Sequence, residues 1–219
     1  MKKLIVAAAA AGALVLAGSA AAALTPWTFV GTGVTCPVVS TFQNGVLHLE
    51  KNCATTTNAS AGATITGVDG QAYSSASFTL ANAAQCQGGS PRFNVVTTNG
   101  TTSTTFFLGC NNVTPTTNAD GTVTYTFTAA TIAAAGGQVP VPTGTITGVD
   151  VLIDVQGTAD LSNITFNGRP EVPGAGHDQC KHGGWKSLSN PSFTNQGRCV
   201  SWFNHHDGQG ADDQQPQSH

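Results

Sequence analysis

The sequence predicts an all-β chain, an antiparallel β-sandwich or jelly roll followed by a small disulfide-stapled C-terminal element. Three observations carry this reading. Over Thr122–Thr128, Val123, Tyr125 and Phe127 point one way and four threonines the other, the alternation of a strand with one buried and one wet face. Threonine, a strand-favouring residue, occurs 31 times, 30 of them before residue 170. Turn-forming pairs such as Asp69-Gly70, Asn99-Gly100 and Asp120-Gly121 separate the candidate strands, and their chemistry is that of hairpins and tight turns.

Taken in chain order, residues 1–23 read as a secretory signal peptide. Met1-Lys2-Lys3 gives a positive start, Leu4–Ala17 an apolar stretch of 14 residues, and Ala20–Ala23 small-residue cleavage sites, the three parts of such a signal. The apolar stretch falls short of the ~20 residues a membrane span requires. Leu16-Ala17-Gly18-Ser19 resembles a bacterial lipobox with Ser19 in place of the lipidated cysteine. A secreted, extracellular or cell-surface-associated protein is therefore expected, with no membrane span after signal cleavage and a mildly acidic mature chain.

The sandwich is expected over 24–168, with strands near 45–50, 63–68, 75–82, 91–98, 104–110, 122–128, 149–155 and 159–167. Val149, Val151, Ile153 and Val155 alternate with Asp150, Leu152 and Asp154. Short strands at this spacing point to a sandwich or jelly roll. Ala129–Ala135 has room for one helical turn, ended by Gly136-Gly137. The hexapeptide Thr64–Asp69 recurs identically as Thr145–Asp150. It marks either two equivalent ligand loops or two strands of similar composition, since solenoids need at least three copies.

Six cysteines in an exported chain favour disulfides over thiol catalysis. Sequence spacing suggests Cys36–Cys53, Cys86–Cys110 and Cys180–Cys199. Each closes a loop of roughly 17–25 residues, worth about 3 kcal/mol in the chain-entropy view. A metal site built on Cys180, His182, Cys199 and His205 or His206 would lack the tightly spaced ligand pairs usual for zinc, so no metal is expected.

The two closing strands, Gly148–Val155 and Gly157–Gly168, resemble the last pair of carbohydrate-binding-module jelly rolls, with Leu161, Asn163 and Ile164 matching. The resemblance implies sugar binding on a concave face or at loop tips, and a structural calcium. Ser162 stands where the calcium-ligating aspartate would fall, and a hydroxyl is a poor ligand for a hard cation, so no cofactor is expected. Flat aromatics for a sugar reduce to Trp27 and Tyr73, because Tyr125 sits on the apolar face of its strand. The outward threonines offer hydroxyls to a glycan or another strand, or simply form a neutral solvated face.

A Pro/Gly linker over 169–179 leads to a different material, with five of the six histidines and two of the three tryptophans beyond residue 170. Cys180, Lys181, Gly183, Gly184, Trp185, Phe193, Asn195, Gln196, Gly197, Cys199 and Val200 are similar to a short cysteine-pair tail, C-K-x-G-G-W then F-x-N-Q-G-x-C-V, at the ends of many bacterial secreted proteins. The tail imports no established activity. The 180–203 segment is read as a disulfide knob, either a packing element or an adhesive one using Trp185, Trp202 and Phe203; 204–219 is read as a disordered tail.

Composition narrows function. Only 9% of residues are charged, against about 25% in an average protein, and no basic stripe exists to neutralise phosphates, which excludes a nucleic-acid partner. Glu50 and Glu171 are the only glutamates, and no G-x-S-x-G, H-E-x-x-H or P-loop pattern occurs. Asp150 and Asp154, on one strand face, would stand about 13 Å apart, beyond the ~5–9.5 Å of glycosidase carboxyl pairs. His48 reads as a surface histidine. No enzyme is expected. The leading expectation is a non-catalytic bacterial surface or matrix protein acting through binding or self-association, with an envelope polymer, glycan or protein as partner. The alternative is a carbohydrate-binding module taking a neutral glycan on the sandwich face. Candidate binding residues are Trp27, Tyr73, Trp185, Trp202 and Phe203.

Overall fold

A computed structural model describes residues 23–170, 172–173, 180, 185–186 and 193–206. The expected signal lies outside these residues except for Ala23. Two sheets pack face to face. The first holds, from edge to edge, β13 (Val172–Pro173), β1 (Ala23–Val30), β4 (Ala59–Thr66), β10 (Thr145–Ile153), β6 (Arg92–Thr98) and β7 (Ser103–Gly109). The second runs β2 (Val38–Gln43), β3 (Val46–Lys51), β11 (Gly157–Phe166), β5 (Ala76–Leu80), β9 (Val123–Phe127) and β8 (Thr116–Thr117), with β12 (Arg169–Pro170) folded back on β11. Every pairing is antiparallel except the two-residue contact of β13 with β1.

Alternation decides which side chains enter the core. In β9 the threonines face out while Val123, Tyr125 and Phe127 are buried, as the sequence pattern requires. Phe78, Phe93, Phe127 and Phe166 form the aromatic centre, with ring centroids 5.5–6.1 Å apart, a spacing at which tilted and edge-on rings attract. Helix α1 (Ala129–Ala134) is the short turn expected after β9; the Thr128 hydroxyl accepts from Thr131 N at 3.1 Å and so satisfies one unpaired helical donor. Two strands were not legible. β1 carries Pro26, and β2 alternates half-buried and exposed positions with residue types, Val38-Val39-Ser40-Thr41-Phe42-Gln43, that do not follow them, so neither sequence shows a clean period.

The repeated hexapeptide takes two conformations. In the first copy Gly67 adopts φ +78° and turns the chain out of β4. In the second, Gly148 continues β10 through a register shift between Ile146 and Gly148. The copies lie side by side and antiparallel, with Thr64 opposite Asp150. The first copy is half strand and half turn, while the second is strand throughout, so they are not a pair of equivalent loops.

All six cysteines pair as spacing suggests, Cys36–Cys53, Cys86–Cys110 and Cys180–Cys199. The second bridge joins the turn after β5 to the end of β7, and so links the two sheets. Around the third, Trp185, Phe193 and Val200 pack on the buried sulfurs. Helix α2 (Gln196–His206) extends into the segment expected as a tail, because no glycine or proline interrupts it between Arg198 and His206. The rest of that tail, 207–219, lies outside the described residues. No described helix is long and apolar enough to cross a membrane.

Candidate functional site

The outer face of the six-stranded sheet gathers the side chains best suited to hold a ligand. Trp27 pairs with Gly62, Gly62 with Leu152, Leu152 with Arg92, and Arg92 with Gly109. The neighbouring outward row runs Thr25, Thr64, Asp150, Asn94 and Phe107. The two rows therefore lie side by side across five strands.

Gly62 makes the platform possible. A Cβ there would lie 2.6 Å from Trp27 Cζ2 and 2.7 Å from Leu152 Cβ, so the indole lies against the sheet in space that any side chain would fill. It reaches β10 and covers Leu152, which is only 5% exposed although it points outward. The indole N–H donates to Asp150 Oδ1 at 3.1 Å, and the Thr64 hydroxyl donates to the same oxygen at 2.7 Å. Among the described residues, no hydrogen bond engages Asp150 Oδ2 or Asn94 Nδ2. A carboxylate acceptor thus stands directly across from an amide donor, beside an aromatic plane.

The far side of this face is anchored by Arg92. Its Nη1 donates to Asp154 Oδ1 at 2.6 Å and its Nε to Asn94 Oδ1 at 2.9 Å, while the guanidinium lies 5.4 Å from the Phe107 ring centre. Ser90 Oγ also donates to Asp154 Oδ1. Partial burial by itself raises the Asp154 carboxyl, but the Arg92 and Ser90 hydrogen bonds and the Arg92 charge outweigh it and hold the group below the ordinary carboxylate range. Phe107 is 51% exposed and Phe29, on the same strand face as Trp27, 48%. Asp154 lies one residue beyond the end of β10 and is held there by Arg92 and Ser90.

The other candidates are placed elsewhere. Tyr73 does not join Trp27. Its ring meets Phe166 edge-on at 5.7 Å, its hydroxyl donates to Phe127 O at 2.8 Å, and burial pushes its pKa well up. It closes the rim of the core because a half-apolar ring with a polar tip fits that boundary. Trp185 packs on the Cys180–Cys199 bridge, with Lys186 Nζ 5.5 Å from its ring centre. Trp202 and Phe203 fall on α2, and their side chains lie outside the described residues.

The second sheet's outer face is polar, and many of its side chains bond one another. Thr79 and Thr124 share a hydrogen bond at 2.9 Å, Ser77 and Thr165 one at 2.8 Å, and Asn118 Nδ2 donates to the Thr122 and Thr124 hydroxyls. These threonines bond one another rather than present a free ladder. His48 Nδ1 lies 2.7 Å from Asp160 Oδ1, with Glu50 3.9 Å from Nε2, and Gln85 Nε2 donates to Asp160 Oδ2. Ser162 Oγ donates to Thr79 O at 3.4 Å, and no described group of three or more His, Cys, Asp or Glu is arranged to hold a metal ion.

Sequence reasoning singled out Trp27 but missed Asn94, Arg92 and Phe107, and it weighed Asp150 only as a catalytic carboxyl. Their grouping depends on strand order. The one local signal was Gly62 inside an otherwise regular strand pattern, which marks a close approach without saying of what. No protein-family model, no curated protein and no solved structure matches the chain.

Proposed function

We propose that this is a non-catalytic binding protein of the cell exterior whose ligand surface is the outer face of the six-stranded sheet, and that the ligand is a neutral glycan. The observation that carries the reading is Trp27 lying over Gly62 beside the open Asp150 Oδ2 and Asn94 Nδ2. A sugar ring presents apolar C–H groups on its faces and hydroxyls at its edge. The half-exposed indole suits the former, and an adjacent acceptor and donor suit two neighbouring hydroxyls. Export is supported by the signal-like N-terminus and by three disulfides. A non-catalytic role is supported by the sequence, which holds no G-x-S-x-G, H-E-x-x-H or P-loop pattern.

The test is retention of residues 24–219 on insoluble neutral polysaccharides and on a glycan array. Retention that Asn94→Ala and Trp27→Ala abolish, and that His48→Ala on the opposite sheet leaves intact, is the expected result. Absence of retention on every neutral glycan, or retention indifferent to Trp27 and Asn94, overturns the reading.

Self-association is the second reading, and β7 favours it. This edge strand reads Ser-Thr-Thr-Phe-Phe-Leu-Gly, with no charge or proline and with Phe107 exposed. Such an edge lacks the devices that block strand addition. Concentration-dependent sedimentation abolished by Thr105→Lys would support it; a monomer at all concentrations would reject it.

A further inference from the structure

Lys51 is buried where an apolar residue belongs. In β3 the inward positions are Leu47, Leu49 and Lys51, and Lys51 is 1% exposed. Its Nζ donates to three backbone carbonyl oxygens, Thr55 O at 3.0 Å, Thr57 O at 2.7 Å and Asp154 O at 2.7 Å. An alkylammonium has three N–H donors and no acceptor, so the three carbonyls satisfy it completely. A neutral amine would turn a lone pair on one of them. Among the described residues no carboxylate forms an ion pair with Lys51; the Asp154 side chain is turned to Arg92 and Ser90. Burial of a charge is costly unless it is matched by well-placed dipoles or an ion, and here the dipoles come from the main chain alone.

We propose that the 52–58 loop and the chain after β10 form a cation cage specific for the alkylammonium class, with Lys51 as its built-in ligand. Rings of inward-pointing carbonyls are how proteins hold a cation without a counter-charge. The class follows from the geometry. Distances of 2.7–3.0 Å are those of N–H···O bonds. Calcium takes six to eight oxygens at about 2.3–2.6 Å, usually with carboxylates among them, and magnesium an octahedron at about 2.0–2.1 Å. Three neutral carbonyls supply neither set.

The cage ties together segments far apart in sequence. Thr55 and Thr57 lie in the loop that Cys53 fastens to Cys36, and Thr55 Oγ1 also accepts from Gln156 N at 3.1 Å. The ammonium therefore clamps this loop to the β10–β11 connection, a role elsewhere given to a bound metal, here supplied by the chain itself and indifferent to chelators.

Lys51→Ala removes a propylammonium equivalent, so n-propylammonium chloride restores the missing atoms. Thermal melts of full-length Lys51→Ala should rise by roughly 2–4 °C in propylammonium near saturation, but not in tetramethylammonium chloride at equal ionic strength, which has no N–H donor; wild type should respond to neither. Equal responses to the two salts, or an equal response from wild type, overturn the proposal. Should Lys51→Ala not fold, two readouts on other samples decide. Lys51→Met, which keeps length and loses the donors, must melt below wild type. In folded wild type, amine acylation must spare Lys51 while modifying the exposed Lys186. A Met variant as stable as wild type, or acylation of Lys51 at the rate of Lys186, refutes the cage.

Discussion

Replacing Gly62 by alanine tests the platform directly. The added methyl would sit 2.6 Å from Trp27 Cζ2, 2.7 Å from Leu152 Cβ and 2.7 Å from Val151 O. Real Cβ contacts do not come this close, so something must shift. Val151 O and Leu152 Cβ belong to β10 or stand directly on it, and they cannot rotate aside; the Trp27 ring is the only neighbour able to leave. Overpacking of this kind costs about 1–3 kcal/mol, and the lost cover over Leu152 re-exposes a side chain whose full burial is worth about 1.5–3 kcal/mol. Against this stands a gain of about 0.4–1 kcal/mol from the less flexible unfolded chain. The net expectation is a loss of about 2–5 kcal/mol, each kcal/mol being worth roughly 2–4 °C in Tm for a domain of this size. Urea unfolding measures the first quantity. Trp27 fluorescence, read in a background with Trp185 and Trp202 changed to phenylalanine, reports whether the indole has moved into water. Combined with Trp27→Ala, Gly62→Ala should cost less than it does alone, because the two changes share one contact. Unchanged stability with an unshifted emission spectrum would show that the indole does not lie over Gly62, and the ligand face would lose its basis.

Two further outcomes follow from the same geometry. The Asp154 carboxyl is held below its unfolded value, so its contribution to stability is complete above the ordinary carboxylate range near pH 4 and is lost as pH falls through the folded value. Arg92→Met leaves burial opposed only by the hydrogen bonds from Ser90 and from the main-chain N–H of Asp154 itself; carbon-detected NMR titration should find the Asp154 pKa moved upward, and an unmoved pKa would mean that Arg92 does not hold it. Removing the bridge between the sheets by Cys86→Ala with Cys110→Ala should cost about 3 kcal/mol in urea unfolding, given its sequence separation of 24; a loss below about 1 kcal/mol would place the sheet-to-sheet restraint in the packing alone.

The outcome differs sharply between elements. β9 was legible because its alternation is unbroken and both of its faces do what their residues prefer. β1 was not, because Pro26 and outward-facing Trp27 and Phe29 hide the period in a strand whose middle lies near the sheet edge. The hexapeptide shows the limit most plainly. Six identical residues leave β4 at Gly67 and run on through Gly148, so neighbouring strands, and not local preference, chose the conformation. Tyr73 and Trp27 looked alike as isolated aromatics, yet one closes the core and the other lies on an outer face.

Sequence alone determined the class of structure and suggested its covalent staples. Period two, turn dipeptides and short cysteine spacings are local properties, written within a few residues of where they act. The order β1-β4-β10-β6-β7 is not local. It arises from packing two sheets on one core while closing loops of very different length, and it alone made Trp27, Asn94, Asp150 and Phe107 neighbours. The same holds for Lys51, a lone charge at the end of an apolar pattern until the fold brought three carbonyl oxygens around it.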